Sequence, residues 1–374
     1  MTTAATATTA TTAALPATMC GVVLTGFGGP EVLHYREDLP VPRPGAGEVL
    51  IRVAASAVNN TDINTRVGWY SKTSASATDG AAAVVDSTRD PDPSWGGTPM
   101  VFPRIQGADC CGSIVAVGSG VDAARIGQRV LVRPVLRDHR SAQPYACQYF
   151  GSECDGGFAQ YTCVPATAAV AVHSGLSDAE LASFPCAYST AENLVDRAGV
   201  TAGSRVLVTG ASGGVGSAAV QLARRRGAHV VALAAADKHE ALRALGAHEC
   251  LPRDVNVVQA LGNESIDVVI DLVGGPQWPA LLDVLRRGGR YASAGAIAGP
   301  VVDLDLRTLY LKDLTLLGCT FQEDRIFDQL VGYIERGEIA PVVAQTFALR
   351  DMALAQQAFE AKNFVGKIVL LAPA

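Results

Sequence analysis

The sequence predicts an α/β protein of two unlike parts, a doubly wound parallel sheet and a β-rich region. Three observations carry that prediction. Residues 205–317 alternate short apolar strands with helical runs, the pattern of a parallel sheet covered on both faces. A glycine cluster, Thr209-Gly-Ala-Ser-Gly-Gly-Val-Gly216, separates the first of those strands from the first helix. Residues 19–172 hold short β-branched runs broken by Gly and Pro instead. The chain has 374 residues, 49% of them hydrophobic, enough to fill sizeable cores and too many for wholesale disorder. That length suggests about two domains. A net charge of −6 argues against nucleic-acid binding through bulk positive charge. No apolar run approaches the ~20 residues of a membrane helix.

Residues 1–18, almost wholly Ala and Thr, read as a disordered tail without the basic and apolar stretches of a signal peptide. Strands follow at 47–53, 112–118 and 129–132. Residues 71–97, polar and without periodicity, are long for a loop and read as either a mobile lid or an insertion beside the substrate entrance. From 205 the order is strand 205–209, helix 214–226, strand 230–233, helix 238–245 and a short strand around Cys250. Helix 254–261, strand 267–271, helix 278–287 and strands 291–294 and 314–317 complete it. The last segment holds helices at 324–336 and 352–362 and a closing strand at 367–371. Nine cysteines at irregular spacing, with no Cys-x-x-Cys pair, point to a reducing, cytoplasmic setting.

The glycine cluster fits the dinucleotide template with Ala211, Gly213 and Gly216 in register and Ser212, Gly214 and Val215 completing the turn. Small residues let the backbone approach a pyrophosphate, and the helix that follows offers free N–H groups and a positive dipole end. An NAD site places Asp or Glu at the end of the second strand, and Leu233, Ala234, Ala235 and Ala236 stand there. Lys238 follows, and Arg253 comes after the third strand. Both are placed for a 2′-phosphate, so NADPH is expected ahead of NADH. A shifted register would make Asp237 the ribose ligand.

These motifs resemble the medium-chain dehydrogenase/reductase superfamily, and within it the zinc-free quinone oxidoreductase and 2-enoyl thioester reductase branches. The resemblance runs from about Cys20 to Pro373. It rests on Gly26-Phe-Gly-Gly-Pro-Glu-Val-Leu33, Pro44-Gly-Ala-Gly-Glu-Val-Leu50, the Asn59-Asn-Thr-Asp62 run through Gly68 to Tyr70, Gly107-Ala-Asp109, the glycine turn and Gly366-Lys-Ile-Val-Leu370. It implies a Rossmann domain (188–321) inserted in a GroES-like, partly open β-barrel catalytic domain (19–187, with 322–374 returning to it). Hydride transfer to a small-molecule substrate would take place in the cleft between them, in a homodimer.

The resemblance assigns the active-site hydroxyl to Tyr70, with Asn59 and Asn64 as further catalytic candidates and Thr61 in the place of a relay hydroxyl. Thr190 and Lys367 join Lys238 and Arg253 among the cofactor contacts. No metal is expected. Zinc-dependent relatives place ligands where this chain has Asn59, Ala108 and Cys186, and one thiol does not make a catalytic zinc site. The expected activity is an NADPH-dependent, zinc-independent oxidoreductase acting on an α,β-unsaturated carbonyl or a quinone. The alternatives are an alcohol or carbonyl dehydrogenase of the zinc-dependent type and a non-catalytic NADPH-binding protein.

Overall fold

Short β-branched runs pair wherever one face can be buried, and in this chain they pair into two main sheets. The computed structural model describes residues 15–71, 77–78, 94–96 and 98–373. Most of the expected tail and most of the 71–97 insertion therefore lie outside the described residues.

The first sheet has seven strands, in the order Ala169–Ala171, Arg129–Val132, Cys111–Val117, Glu48–Ala57, Lys367–Leu371 and Val343–Ala348, with Tyr161–Pro165 also paired to Glu48–Ala57. Its centre is an antiparallel register of Val369 on Ala57 and Leu370 on Ser56. The C-terminal strand is thus laid against one formed more than 300 residues earlier. A smaller sheet opens with Thr18–Leu24, whose Thr18 pairs with Pro40. The first strand therefore starts inside the stretch assigned to the tail, because Thr18 already has a strand partner.

The second sheet has six parallel strands, in the order Glu249–Pro252, His229–Ala234, Arg205–Val208, Ile266–Asp271, Leu285–Ser293 and Thr315–Gly318. Parallel strands need crossovers, and helices Gly214–Arg225, His239–Ala244, Val257–Leu261 and Trp278–Val284 supply them on both faces. Val206, Val208, Val230 and Ile270 face one core, and Leu207, Val231, Leu233 and Val269 face the other. Each such buried side chain contributes about 1.5–3 kcal/mol. The helix expected at 278–287 ends at Val284. Leu285 instead starts a strand opposite Ile266, and the register slips between Ile266 and Val268.

The expected division at 187/188 falls within helix Pro185–Arg197, which runs unbroken across it. Helix Asp324–Glu335, expected on the returning side, packs against helix Pro185–Arg197. Its apolar face (Phe327, Leu330, Val331, Ile334) shares a core with Val206 and Val208. The chain rejoins the first sheet at Val343–Ala348. Among the described residues no helix is long and apolar enough to cross a membrane.

Candidate active site

Strand Glu48–Ala57 ends against the C-terminal strand and leads through Val58 and Asn59 into helix Asn60–Arg66. The four orphan N–H groups of a helix start need acceptors. Asp62 takes the Asn59 N–H at 2.7 Å, the carboxylate half of a capping box. Arg66 anchors the far end. It is 1% exposed and donates to Gln356 Oε1 (2.9 Å), the Gly28 carbonyl (2.8 Å) and Glu360 Oε1 (3.1 Å), tying this helix to helix Met352–Ala361.

The turn after the helix sets Tyr70 beside Thr61 and Asn64, whose side chains favour the ionised form of its hydroxyl. Burial pushes the Tyr70 phenol up to about 12, against the pull of those two partners, so it stays a neutral donor at physiological pH. Trp69 meets its ring edge-on, with centroids 5.6 Å apart. Asp62 is buried in the same helix, and burial pushes its carboxyl up to about 7. The Asn59 N–H and the Lys367 charge oppose that rise, and Asp109 adds to it.

Asn59 does not turn its amide toward the open cleft. Its Nδ2 donates to the Ala57 carbonyl (3.1 Å) and to Asp109 Oδ2 (2.7 Å), and its Oδ1 accepts from Lys367 Nζ. With both amide atoms engaged it shapes the floor of the site and has nothing left for a substrate oxygen. Lys367, expected among the cofactor contacts, has its ammonium engaged within the protein instead. Its ammonium is buried and donates to the Val58 carbonyl (3.0 Å), Asn59 Oδ1 and Asp109 Oδ2 (3.0 Å). Asp109, fully buried, also accepts the Cys186 N–H at 2.6 Å, placing its charge at the N-terminus of helix Pro185–Arg197. Sequence reading gave Asp109 no role. Its one signal was an acidic residue inside an otherwise apolar run, with a lone lysine in the C-terminal strand to match it.

The glycine turn follows strand Arg205–Val208, and Gly213 caps helix Gly214–Arg225. A Cβ at Gly216 would fall 2.2 Å from the Gly210 carbonyl oxygen and 2.6 Å from Ala211 Cα, so this position keeps helix and turn in contact. At Gly213 the nearest atom would be 3.5 Å away, and Gly213 is exposed beside the partly exposed Ser212 and Val215. Ala211 is buried under the turn. Thr209 and Tyr291 both donate to the buried carboxylate of Asp271, which also accepts the Val273 and Gly274 N–H groups and closes the base of the turn. The exposed face of the turn fits a dinucleotide pyrophosphate.

Lys238 and Arg253 follow neighbouring strands whose ends pair at Ala234 and Pro252. Arg253 is exposed. Lys238 Nζ donates to the Lys362 carbonyl at 2.5 Å, at the C-terminus of helix Met352–Ala361, so its charge stands between the two halves of the chain. Thr190 is partly exposed on helix Pro185–Arg197.

The residues present do not fit a catalytic zinc. Ala108 offers no donor, the Asn59 amide is spent, and burial holds the Cys186 thiol well above its usual range, with Asp109 adding to the effect. Among the described residues no group of three His, Cys, Asp or Glu side chains is placed to hold a metal.

Comparison with known proteins agrees with this architecture. Residues 45–174 match the alcohol dehydrogenase GroES-like domain, and residues 214–336 match the zinc-binding dehydrogenase family. The quinone oxidoreductase of Lama guanicoe is 30% identical over 94% of this chain and 97% of its own. A protein of Sinorhizobium meliloti 1021, provisionally termed an alcohol dehydrogenase, is 47% identical with a TM-score of 0.85, covering 96% of this chain and 97% of its own. The chain belongs to the medium-chain dehydrogenase/reductase superfamily. The acryloyl-coenzyme A reductase of Sulfurisphaera tokodaii is a further relative, 27% identical over 91% of this chain and 97% of its own. The 2-octenoyl-CoA carboxylase reductase CinF, solved with NADP and 2-octenoyl-CoA, has a TM-score of 0.81 at 25% identity, covering 96% of this chain and 89% of its own. As a medium-chain dehydrogenase/reductase this chain is an oxidoreductase.

Proposed function

We propose that this chain is an NADPH-dependent, zinc-independent reductase whose acceptor is an α,β-unsaturated carbonyl or a quinone. The observation that carries the reading is Tyr70, a neutral phenol beside Thr61 and Asn64, next to an Asn59, Ala108 and Cys186 set that does not fit a zinc. Bound NADPH would supply the hydride. The chain's own residues do the rest. The turn from Ala211 to Gly216 seats the pyrophosphate, and Lys238 and Arg253 take the 2′-phosphate. Tyr70 donates a hydrogen bond to the acceptor oxygen as charge grows there, a task matched to a hydroxyl that stays protonated, while the proton that completes the reduction comes from solvent. The relatives that act on acryloyl-CoA and quinones, and the neighbour solved with NADP, support the substrate class and the cofactor.

We further assign residues 188–321 to the dinucleotide domain, with the helix Asp324–Glu335 added to it by its packing. The protein would be a cytoplasmic homodimer. All nine cysteines are free, as a reducing setting requires, and Thr315–Gly318 is the edge strand of the parallel sheet, open to a second copy.

The test is NADPH oxidation by purified, metal-stripped protein, with a quinone, an enone and an enoyl thioester offered separately. Turnover of any one supports the reading and names the acceptor class. Activity that appears only when zinc is returned overturns zinc independence. Replacing Lys238 and Arg253 by Ala should raise KM for NADPH about tenfold or more and leave NADH little changed. Equal effects on both cofactors would remove these residues from the 2′-phosphate.

A further inference from the structure

We propose that Lys367 is a positioning residue that fixes the start of helix Asn60–Arg66, and with it Tyr70, to the glycine turn that seats the dinucleotide. The proposal rests on the preceding reading only for the roles of Tyr70 and the glycine turn. Three segments distant in sequence converge on this one side chain. Its ammonium bonds the Val58 carbonyl, Asn59 Oδ1 and Asp109 Oδ2, so all three N–H groups are used. Val58 and Asn59 lead directly into the helix that carries Thr61 and Asn64, beside which the following turn sets Tyr70.

The other end of the residue touches the glycine turn. The Gly366 N–H donates to the Ser212 carbonyl at 3.0 Å. A Cβ on Gly214 would lie 2.7 Å from Lys367 Cδ, so the lysine stem runs against the first residue of the dinucleotide helix. Gly366 itself has φ +92°, with the Val342 carbonyl oxygen 2.2 Å from where a Cβ would be, so only glycine brings the strand in at this angle. Side chains of 2% and 0% exposure form the Lys367–Asp109 pair. A buried ion pair adds little stability over a neutral packing of the same volume. Its geometric effect is specific: it joins the dinucleotide turn to the two residues from which the helix before Tyr70 starts. A displacement of about 1 Å at that helix costs up to a hundredfold in rate.

Lys367→Met keeps the stem and removes the ammonium, but it strands the Asp109 carboxylate in the interior. The variant that carries the test therefore combines Lys367→Met with Asp109→Asn, which leaves the floor neutral. In that double variant kcat should fall roughly ten- to a hundredfold while KM for NADPH changes far less. Backbone amides of residues 60–71 should exchange with deuterium more slowly when NADPH binds to the wild type, and this slowing should vanish in the double variant. Wild-type kcat and wild-type slowing in the neutral pair would overturn the proposal, since Lys367 would then only neutralise Asp109. The exchange experiment needs no acceptor. Wild-type protein that shows the slowing but reduces no acceptor sinks the proposed reaction and leaves the positioning role standing. Wild-type protein that shows no slowing sinks the positioning role, whatever it reduces.

Discussion

Tyr70 and Asp62 sit within a few residues of each other, and burial raises both, with opposite consequences. A phenol lifted from 10.0 to about 12 is protonated throughout the assay range. Tyr70→Phe should therefore lower kcat by about 10²-fold at every pH from 6 to 9 and leave NADPH affinity unchanged. Unchanged turnover would remove Tyr70 from the chemistry. A carboxyl lifted from 3.8 to about 7 titrates where enzymes are assayed. Between those two values the folded chain holds a proton that the unfolded chain releases. Stability from this group is present below pH 3.8 and is lost as pH rises through the window toward about 7. Asp62→Asn removes that slope, so the variant's melting temperature relative to wild type should climb from pH 4 to pH 7 and then level. Parallel curves for the two proteins would show that Asp62 titrates normally. At this scale the sequence was legible only for side chains that meet their partners nearby. Tyr70, Thr61 and Asn64 share one helix and its turn, so one motif held them all. The inward turn of Asn59 and Lys367 was not legible, because the partner that draws both, Asp109, lies 50 and 258 residues away.

Elements were easier to read, since strand and helix each impose a period that the sequence must keep. The glycine turn shows both what that reading reveals and where it stops. Its place between a strand and a helix could be read directly, but the separate task of each glycine could not. Gly216 has no room for a methyl group, and Gly213 has room facing outward. Gly216→Ala should push helix Gly214–Arg225 off the turn, lower the melting temperature by several degrees and abolish NADPH binding. Gly213→Ala should keep the wild-type melting temperature, with any loss confined to cofactor affinity. Equal melting temperatures for the two variants would contradict the contact geometry. The helix expected at 278–287 failed at its end for a related reason. Leu281, Leu282, Val284 and Leu285 are all buried, so buried apolar residues continue from helix into strand with only the exposed Asp283 between them. Only the pairing of Leu285 with Ile266, invisible in a single sequence, marks the change.

At the scale of the whole molecule, one side of the parallel sheet carries what a single chain leaves unfinished. Thr315–Gly318 is the edge strand, paired on one side to Leu285–Ser293, with no second strand beside it among the described residues, although the Gly318 carbonyl accepts from Arg197. Just before it in the chain, Val301, Leu306, Tyr310 and Leu311 are 73%, 64%, 61% and 56% exposed, among the most exposed large apolar side chains described. An open edge with an apolar border invites uncontrolled pairing unless it is covered. In the proposed homodimer a second copy, related by a two-fold axis, would cover it. The two edge strands would run antiparallel across the axis, their outward sides would pair, and the apolar border would fold over the join in a closed assembly. Replacing Tyr310 and Leu311 together by Asp places like charges across that axis and removes the apolar contact. Light scattering should then report a monomer where the wild type is a dimer. Because the glycine turn lies at the strands' C-terminal ends, away from this edge, the monomer should still bind NADPH. A double variant that remains dimeric would move the interface elsewhere on the surface.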